Sequence, residues 1–134
     1  MMNFKDRLVV VVDDYEISIK TLIGALKEIQ VQKIHEFDNA KSAIAFIKET
    51  LKKGEVVDLI FSDWNMPVQT GMDFLKIAKA DQFMESIPFV MVTAESEAKS
   101  VMSAIRAGCA DYLVKPINAQ RVQAIAVKIF SKKK

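Results

Sequence analysis

Cysteine, histidine, proline and glycine are all scarce in this chain. With one cysteine, Cys109, no internal disulfide can form, and one histidine, His35, cannot build a histidine metal cluster. The longest apolar run, Leu8 to Val12, is far shorter than the ~18 residues that suggest a membrane-spanning helix. No signal peptide is evident in residues 1–7. We therefore expect a cytoplasmic protein with no membrane insertion.

Strong charge of one sign is also lacking. The formal net charge is +2, too small to indicate nucleic acid as a partner. The basic run Lys132–Lys134 is short and is interpreted as a solvated tail, because a nucleic-acid footprint needs a wider patch. No repeat or Pro/Gly/Ser-rich linker divides the 134 residues, of which 51% are hydrophobic. One domain spanning residues 1–134 is predicted.

Short apolar segments alternate with amphipathic ones along the chain. Strands buried on both faces of a parallel sheet are apolar throughout, and most of the short segments have that character. The predicted strands are Leu8 to Val12, Lys33 to Phe37, Val56 to Phe61, Pro88 to Val92 and Tyr112 to Val114.

The stretches between the strands have the three-to-four spacing of helices. The residues that mark the five helices are Ile17, Leu22, Ile23, Leu26 and Ile29; Ala40, Ala43, Ile44 and Ile47; Met72, Leu75 and Ile77; Val101, Met102 and Ile105; and Val122, Ile125, Ala126 and Ile129. Asp38 and Asn118 are the predicted N-caps of the second and fifth helices. Gly54 and Gly108 are predicted to end the second and fourth.

Five strand–helix units in about 130 residues predict an α/β fold with right-handed crossovers. This is a doubly wound parallel sheet of the flavodoxin-like kind, (βα)5, with strand order 2-1-3-4-5. A (β/α)8 barrel would need about 250 residues. Phe74, Phe83, Phe89 and Cys109 are expected in its core.

Polar groups stand at the carboxyl ends of four predicted strands. Asp13 and Asp14 follow the first strand, Asp63 the third, Thr93 the fourth and Lys115 the fifth. Ligands of open α/β sheets bind at this edge, at a switch point that lies here between strands 1 and 3. Three converging carboxylates repel one another and require a cation. Oxygen ligands of this kind suit Mg²⁺.

The same groups suit phosphoryl transfer. Asp63, on the central strand, is the best candidate nucleophile, since a carboxylate can form an aspartyl phosphate. Lys115 and Thr93 would supply a fixed charge and a hydroxyl donor to the phosphoryl oxygens. Singly, each has an ordinary explanation, such as helix capping for the aspartates or a turn position for the threonine. Capping does not predict a lysine at strand 5, so the joint pattern favours one site.

These motifs together resemble the receiver domain of two-component response regulators. The segments that carry the resemblance are Val-Val-Asp-Asp at 11–14, Ser-Asp-Trp-Asn-Met-Pro at 62–67 with Gly71, Val-Thr-Ala at 92–94 and Tyr-Leu-Val-Lys-Pro at 112–116. It extends from about Leu8 to Phe130 and is strongest with the stand-alone chemotaxis regulators of that family.

The resemblance implies the roles of the residues at the site. Asp63 matches the phosphoacceptor. Asp13, Asp14, Asp63 and the backbone carbonyl of Asn65 match the Mg²⁺ ligands. Lys115 matches the lysine that pairs with the phosphoryl group.

The resemblance also implies a switch. Thr93 matches the hydroxyl that closes on the phosphoryl group, and Tyr112 the aromatic side chain that changes rotamer with it. Asn65 and Glu95 match positions that tune dephosphorylation. The Lys115–Pro116 peptide bond is expected to be cis.

The partners implied are a histidine kinase as phosphodonor and a downstream protein, the flagellar motor switch or another. Because no output domain is expected after the fifth helix, the signal would pass by phosphorylation-dependent binding through the face made by helix 4, strand 5 and helix 5. Ile117 and Asp111 depart from the family pattern near that face, which leaves the partner open. The protein is expected to be a monomer that catalyses only its own phosphorylation and dephosphorylation.

Three alternatives are weighed against this interpretation. A stand-alone receiver can also be a phosphorelay intermediate or a phosphate sink. A phosphotransferase of the haloacid dehalogenase type would need Asp-x-Asp at its first strand, where this chain has adjacent Asp13 and Asp14. A flavin-binding protein is disfavoured because an acidic loop after strand 1 would repel a phosphate.

Overall fold

The computed structural model describes residues 4–94 and 98–132, except for the side chain of Ala98. Five strands alternate with five helices, as predicted. The strands are β1 (Leu8–Val12), β2 (Lys33–Phe37), β3 (Leu59–Asp63), β4 (Phe89–Ala94) and β5 (Asp111–Lys115). The helices are α1 (Glu16–Glu28), α2 (Ala40–Lys52), α3 (Gly71–Ala80), α4 (Ala98–Ala107) and α5 (Ala119–Lys132).

All five strands lie in one parallel sheet of order β2-β1-β3-β4-β5. The predicted fold and strand order are therefore confirmed. Chain order reverses between β1 and β3, which are hydrogen-bonded neighbours with Val12 opposite Ser62. This is the switch point of the sheet, and it leaves room between the connections that follow the two strands.

Helices cover both faces of the sheet. Val10 and Val12 of β1 belong to the core beneath α2, α3 and α4, whereas Val9 and Val11 belong to the core beneath α1 and α5. Side chains alternate between faces along a strand, so β1 must be apolar at every position. None of the described helices combines the length and apolar character needed to cross a membrane.

The helix ends follow the predicted chemistry with one correction. Gly54, the second residue after α2, and Gly108, the first after α4, adopt φ of 82° and 108°, as a helix-ending glycine should. Asn118 Oδ1 accepts a hydrogen bond from Arg121 N at the start of α5. The prediction of Asp38 as the cap of α2 is wrong, because Asn39 Oδ1 accepts the bond from Ser42 N at 2.8 Å.

The bounds of three strands and one core assignment differ from the sequence prediction. β4 runs from Phe89 to Ala94 instead of from Pro88 to Val92, and β5 is one residue longer at each end than the predicted Tyr112 to Val114. β3 begins at Leu59, three residues later than predicted, and continues through Asp63. Asp58 directly precedes β3, and its carboxylate accepts the N–H of Leu8 and pairs with Arg7. Phe83 is not a core residue, since 68% of its surface is exposed, whereas Phe74 and Phe89 pack edge to face in the core.

Candidate functional site

The carboxyl edge of the sheet gathers the predicted polar residues from four chain segments. Asp63 ends β3 and lies opposite Val92 of β4, while Asp13 follows β1 directly. Lys115 ends β5, where it lies opposite Ala94. These placements follow from the parallel arrangement, because every strand leaves its carboxyl end at one edge.

Three carboxylates converge at this edge. Ligand atoms of Asp13, Asp14 and Asp63 all lie within 4.8 Å of one another. Asp13 and Asp63 are buried, and Asp14 is exposed at the rim. An open cleft of about 450 Å³ borders Asp13 and Asp14, and Glu36 and Asp38 contribute further carboxylates to its lining. The site is thus accessible to a cation and strongly acidic.

Lys115 bridges the two buried carboxylates. Its ammonium nitrogen, Nζ, lies 3.2 Å from Asp63 Oδ1 and 3.3 Å from Asp13 Oδ2. The ammonium also lies 5.8 Å from the centre of the Tyr15 ring, within cation–π range. One ammonium cannot neutralise three carboxylates, so the cluster keeps an excess of negative charge.

One carboxylate oxygen of Asp13 accepts a hydrogen bond, and the other does not accept one from the described residues. Its Oδ1 accepts the N–H of Tyr15 at 2.9 Å. Its Oδ2 is buried and, within the described part of the chain, accepts no hydrogen bond of good geometry, even though Lys115 is near. A buried carboxylate oxygen without a hydrogen bond is costly unless a ligand completes its shell.

The electrostatics agree with this geometry. Burial raises the pKa of Asp63, the charges of Asp13 and Asp14 add to the rise, and Lys115 opposes it, giving a pKa of about 6. Burial alone would lower the pKa of Lys115, but Asp13 and Asp63 outweigh it and raise the pKa. Both pKa shifts thus have the cause that the geometry shows, namely burial together with the close approach of the Lys115 ammonium to two carboxylates.

The donor set fits the Mg²⁺ ion predicted from the sequence. The carboxylates of Asp13, Asp14 and Asp63 are close enough to bind one ion, and they include the Asp13 Oδ2 that accepts no hydrogen bond from the described residues. Asp14 is exposed to solvent. Hard divalent cations take oxygen ligands of this kind. Asn65 lies in the exposed loop two residues after Asp63, and its carbonyl as a further ligand stays a prediction.

The predicted switch residues, Thr93 and Tyr112, make contacts of their own, and their switch roles stay predictions. The Thr93 hydroxyl donates to the carbonyl of Ala94 at 3.1 Å. Tyr112 is half-buried and packs against the core on the α2–α4 side. The Lys115–Pro116 bond is cis, as expected. Glu95 lies outside the described residues.

Gly71 has a structural role at the site that the sequence motif alone does not explain. A Cβ added at Gly71 would collide with the backbone carbonyl oxygen of Asp63 and lie 2.9 Å from Met91 Sδ. The N–H of Gly71 also donates to the carbonyl of Trp64 at 2.7 Å. Glycine thus lets the start of α3 press against the end of β3 and fix its position.

Known proteins agree with this arrangement. Residues 9–127 match the family described as the response regulator receiver domain. The chain therefore belongs to the response regulator receiver family.

Within that family the chain is CheY-like. It is 31% identical to the chemotaxis protein CheY-3 of Vibrio cholerae over 128 residues, covering 96% of this chain and 95% of the relative. It is 32% identical to the chemotaxis protein CheY of Pseudomonas aeruginosa, covering 92% of this chain and 96% of the relative. In fold it is similar to the Mn²⁺-bound response regulator Rcp1, with a TM-score of 0.80, 20% identity and coverage of 96% and 97% of the two chains.

Proposed function

We propose that this response regulator accepts a phosphoryl group on Asp63 from a histidine kinase and relays the signal in chemotaxis. The observation that carries the proposal is the Lys115 ammonium, which lies within 3.3 Å of Asp63 Oδ1 and of Asp13 Oδ2, a buried oxygen that accepts no hydrogen bond from the described residues. Ion pairing alone does not account for three carboxylates around one ammonium. A divalent cation and a phosphoryl group together do.

In the transfer, a carboxylate oxygen of Asp63 attacks phosphorus while the bond from phosphorus to the histidine nitrogen of the kinase breaks. With a pKa of about 6, Asp63 is mostly ionised at neutral pH and can act as the nucleophile. Lys115 then pairs with the phosphoryl oxygens. Mg²⁺, held by Asp13, Asp14 and Asp63, would supply positive charge to the same oxygens. Catalysis would be confined to the protein's own phosphorylation and dephosphorylation.

In this proposal Thr93 reports phosphorylation. Among the described residues its hydroxyl donates to the neighbouring carbonyl of Ala94, and rotation toward a phosphoryl group would break that hydrogen bond. Thr93 pairs with Val114 in the β4–β5 ladder, and Met91 pairs with Tyr112. A shift of Thr93 would therefore reach Tyr112 through adjacent backbone, which supports a population shift of that side chain.

The proposed output surface is the face made by α4, β5 and α5. It exposes apolar side chains that the core does not use, namely Met102 and Ile105 of α4 and Val114 of β5. Exposed apolar groups of this size are typical of protein interfaces. The names of the chemotaxis relatives support a motility partner such as the flagellar motor switch. We propose a cytoplasmic location for this exchange.

Trp64 provides the test, because it is the only tryptophan and adjoins Asp63. The protein is titrated with Mg²⁺ and then with beryllofluoride, which stands in for the aspartyl phosphoryl group. We expect a fluorescence change that needs Mg²⁺ and is absent in Asp63→Asn. Glu49→Gln, which removes one exposed carboxylate on α2, is the matched control and should respond like the wild type. A folded wild-type protein that gives no response would contradict the proposal and favour a receiver that acts by binding alone.

A further inference from the structure

We propose that the groove between α2 and the connection from α3 to β4 binds an acidic, amphipathic segment of a partner protein. The groove has a volume of about 390 Å³. Its lining is Lys48, Leu51, Lys52, Asp81, Phe83 and Met84. It lies at the amino edge of the parallel sheet, opposite the edge that carries Asp63, so the inference is independent of the proposed phosphoryl chemistry.

The first observation is an exposed aromatic side chain on a firmly held connection. Phe83 is 68% exposed. Asp81 Oδ1 accepts the N–H groups of both Phe83 and Met84, at 2.8 and 3.1 Å. Lys79 Nζ donates to the carbonyl of Glu85 at 2.9 Å. Phe83 is thus presented by ordered backbone, and ordered exposed aromatics are the anchors that interfaces favour.

The second observation is an apolar floor that is already in place. Met84 is fully buried and belongs to the core, and Leu51 packs against the same core cluster. An apolar side chain entering the groove would contact Phe83 and Leu51 without displacing core residues. Preformed apolar pockets bind with little ordering cost.

The third observation gives the sign of the partner's charge. Lys48 and Lys52 are exposed and lie four residues apart, so they share one face of α2. Within residues 4–94 and 98–132, no carboxylate forms an ion pair with either lysine. The one acid in the lining, Asp81, is occupied by the two backbone N–H groups described above. Carboxylates on the partner would relieve the repulsion between the lysines and steer association.

The probe is a fluorescein-labelled helical peptide with leucine and phenylalanine on one face and glutamate on the other, measured by anisotropy against the unphosphorylated full chain. A version with lysine in place of glutamate tests the charge. We expect the acidic peptide to bind more tightly than the lysine version. Phe83→Ser should weaken binding of the acidic peptide about tenfold through loss of the apolar anchor. The double variant Lys48→Glu/Lys52→Glu should weaken it by a similar factor at low salt. Phe83→Leu should restore most of the affinity.

The controls separate this groove from the other surfaces. Lys41→Glu on the first turn of α2 and Met102→Ser on α4 should leave binding unchanged, and beryllofluoride with Mg²⁺ should not alter it. Binding that needs beryllofluoride, or that Met102→Ser removes, would assign the peptide to the α4–β5–α5 face and overturn the proposal. Equal affinity of all variants would also overturn it. So would a chain that does not bind the peptide but binds anionic vesicles through Phe83, or one that does not bind the peptide but forms a Phe83-dependent dimer in sedimentation.

Discussion

Replacement of Asp63 by asparagine should stabilise the metal-free protein at neutral pH. The folded structure raises the pKa of Asp63 from 3.8 to about 6, first through burial and then through Asp13. Each unit of pKa shift corresponds to about 1.4 kcal/mol. Ionised Asp63 therefore lowers the free energy of unfolding by up to about 3 kcal/mol at pH 7. Asparagine is uncharged at every pH and avoids this cost.

The raised pKa of Asp63 also predicts how the free energy of unfolding changes with pH. Between pH 3.8 and about 6, the folded chain retains the proton of Asp63 that the unfolded chain has released. The contribution of Asp63 to the free energy of unfolding of the wild type therefore falls as the pH rises through that window, and it is constant at higher pH. The difference between Asp63→Asn and the wild type should be small near pH 4 and reach its full value by pH 7. Urea unfolding in EDTA at several pH values measures it.

Two comparisons make the test specific. Glu49→Gln makes the same charge change on an exposed position and should alter stability by less than about 0.5 kcal/mol. Saturating Mg²⁺ should stabilise the wild type more than Asp63→Asn, because it binds the folded site. If Asp63→Asn were no more stable than the wild type at pH 7, or if the difference did not vary with pH, the electrostatic account of the site would be refuted.

Three further changes test the structure. Gly71→Ala should lower the free energy of unfolding in urea by about 2 kcal/mol, because its Cβ would collide with the Asp63 carbonyl; unchanged stability would contradict this contact. Val68→Asn should raise the free energy of unfolding by about 1 kcal/mol, since Val68 has a φ of 69° that asparagine tolerates better. Equal stability of the two proteins would show that the backbone is not strained at Val68. Beryllofluoride binding should change the chemical shift of the Tyr112 amide in the wild type but not in Thr93→Ala. The same change in both proteins would disprove the coupling of Thr93 to Tyr112.

Much of the fold was predictable because it depends on local patterns. The unbroken apolar run of β1 can only be buried on both faces, and alternation with amphipathic helices requires parallel strands. Boundaries were less predictable where two residues compete for one role. Asp38 and Asn39 are both good caps, and Asn39 takes the position while its side-chain amide donates to Asp38. Phe83 was misplaced because hydrophobicity does not reveal whether a side chain finds room in the core.

The composition of the site follows from sequence, since parallel topology brings the residues at the strand ends to one edge. That Asp13, Asp14, Asp63 and Lys115 share this edge could therefore be predicted without a structure. The packing of the helices on the sheet sets the finer geometry: Lys115 bridges two buried carboxylates, Asp13 Oδ2 accepts no hydrogen bond from the described residues, and the pKa of Asp63 rises. Distances of a few ångströms between segments roughly 50 residues apart depend on how helices and sheet pack, and electrostatic energies vary steeply over such distances.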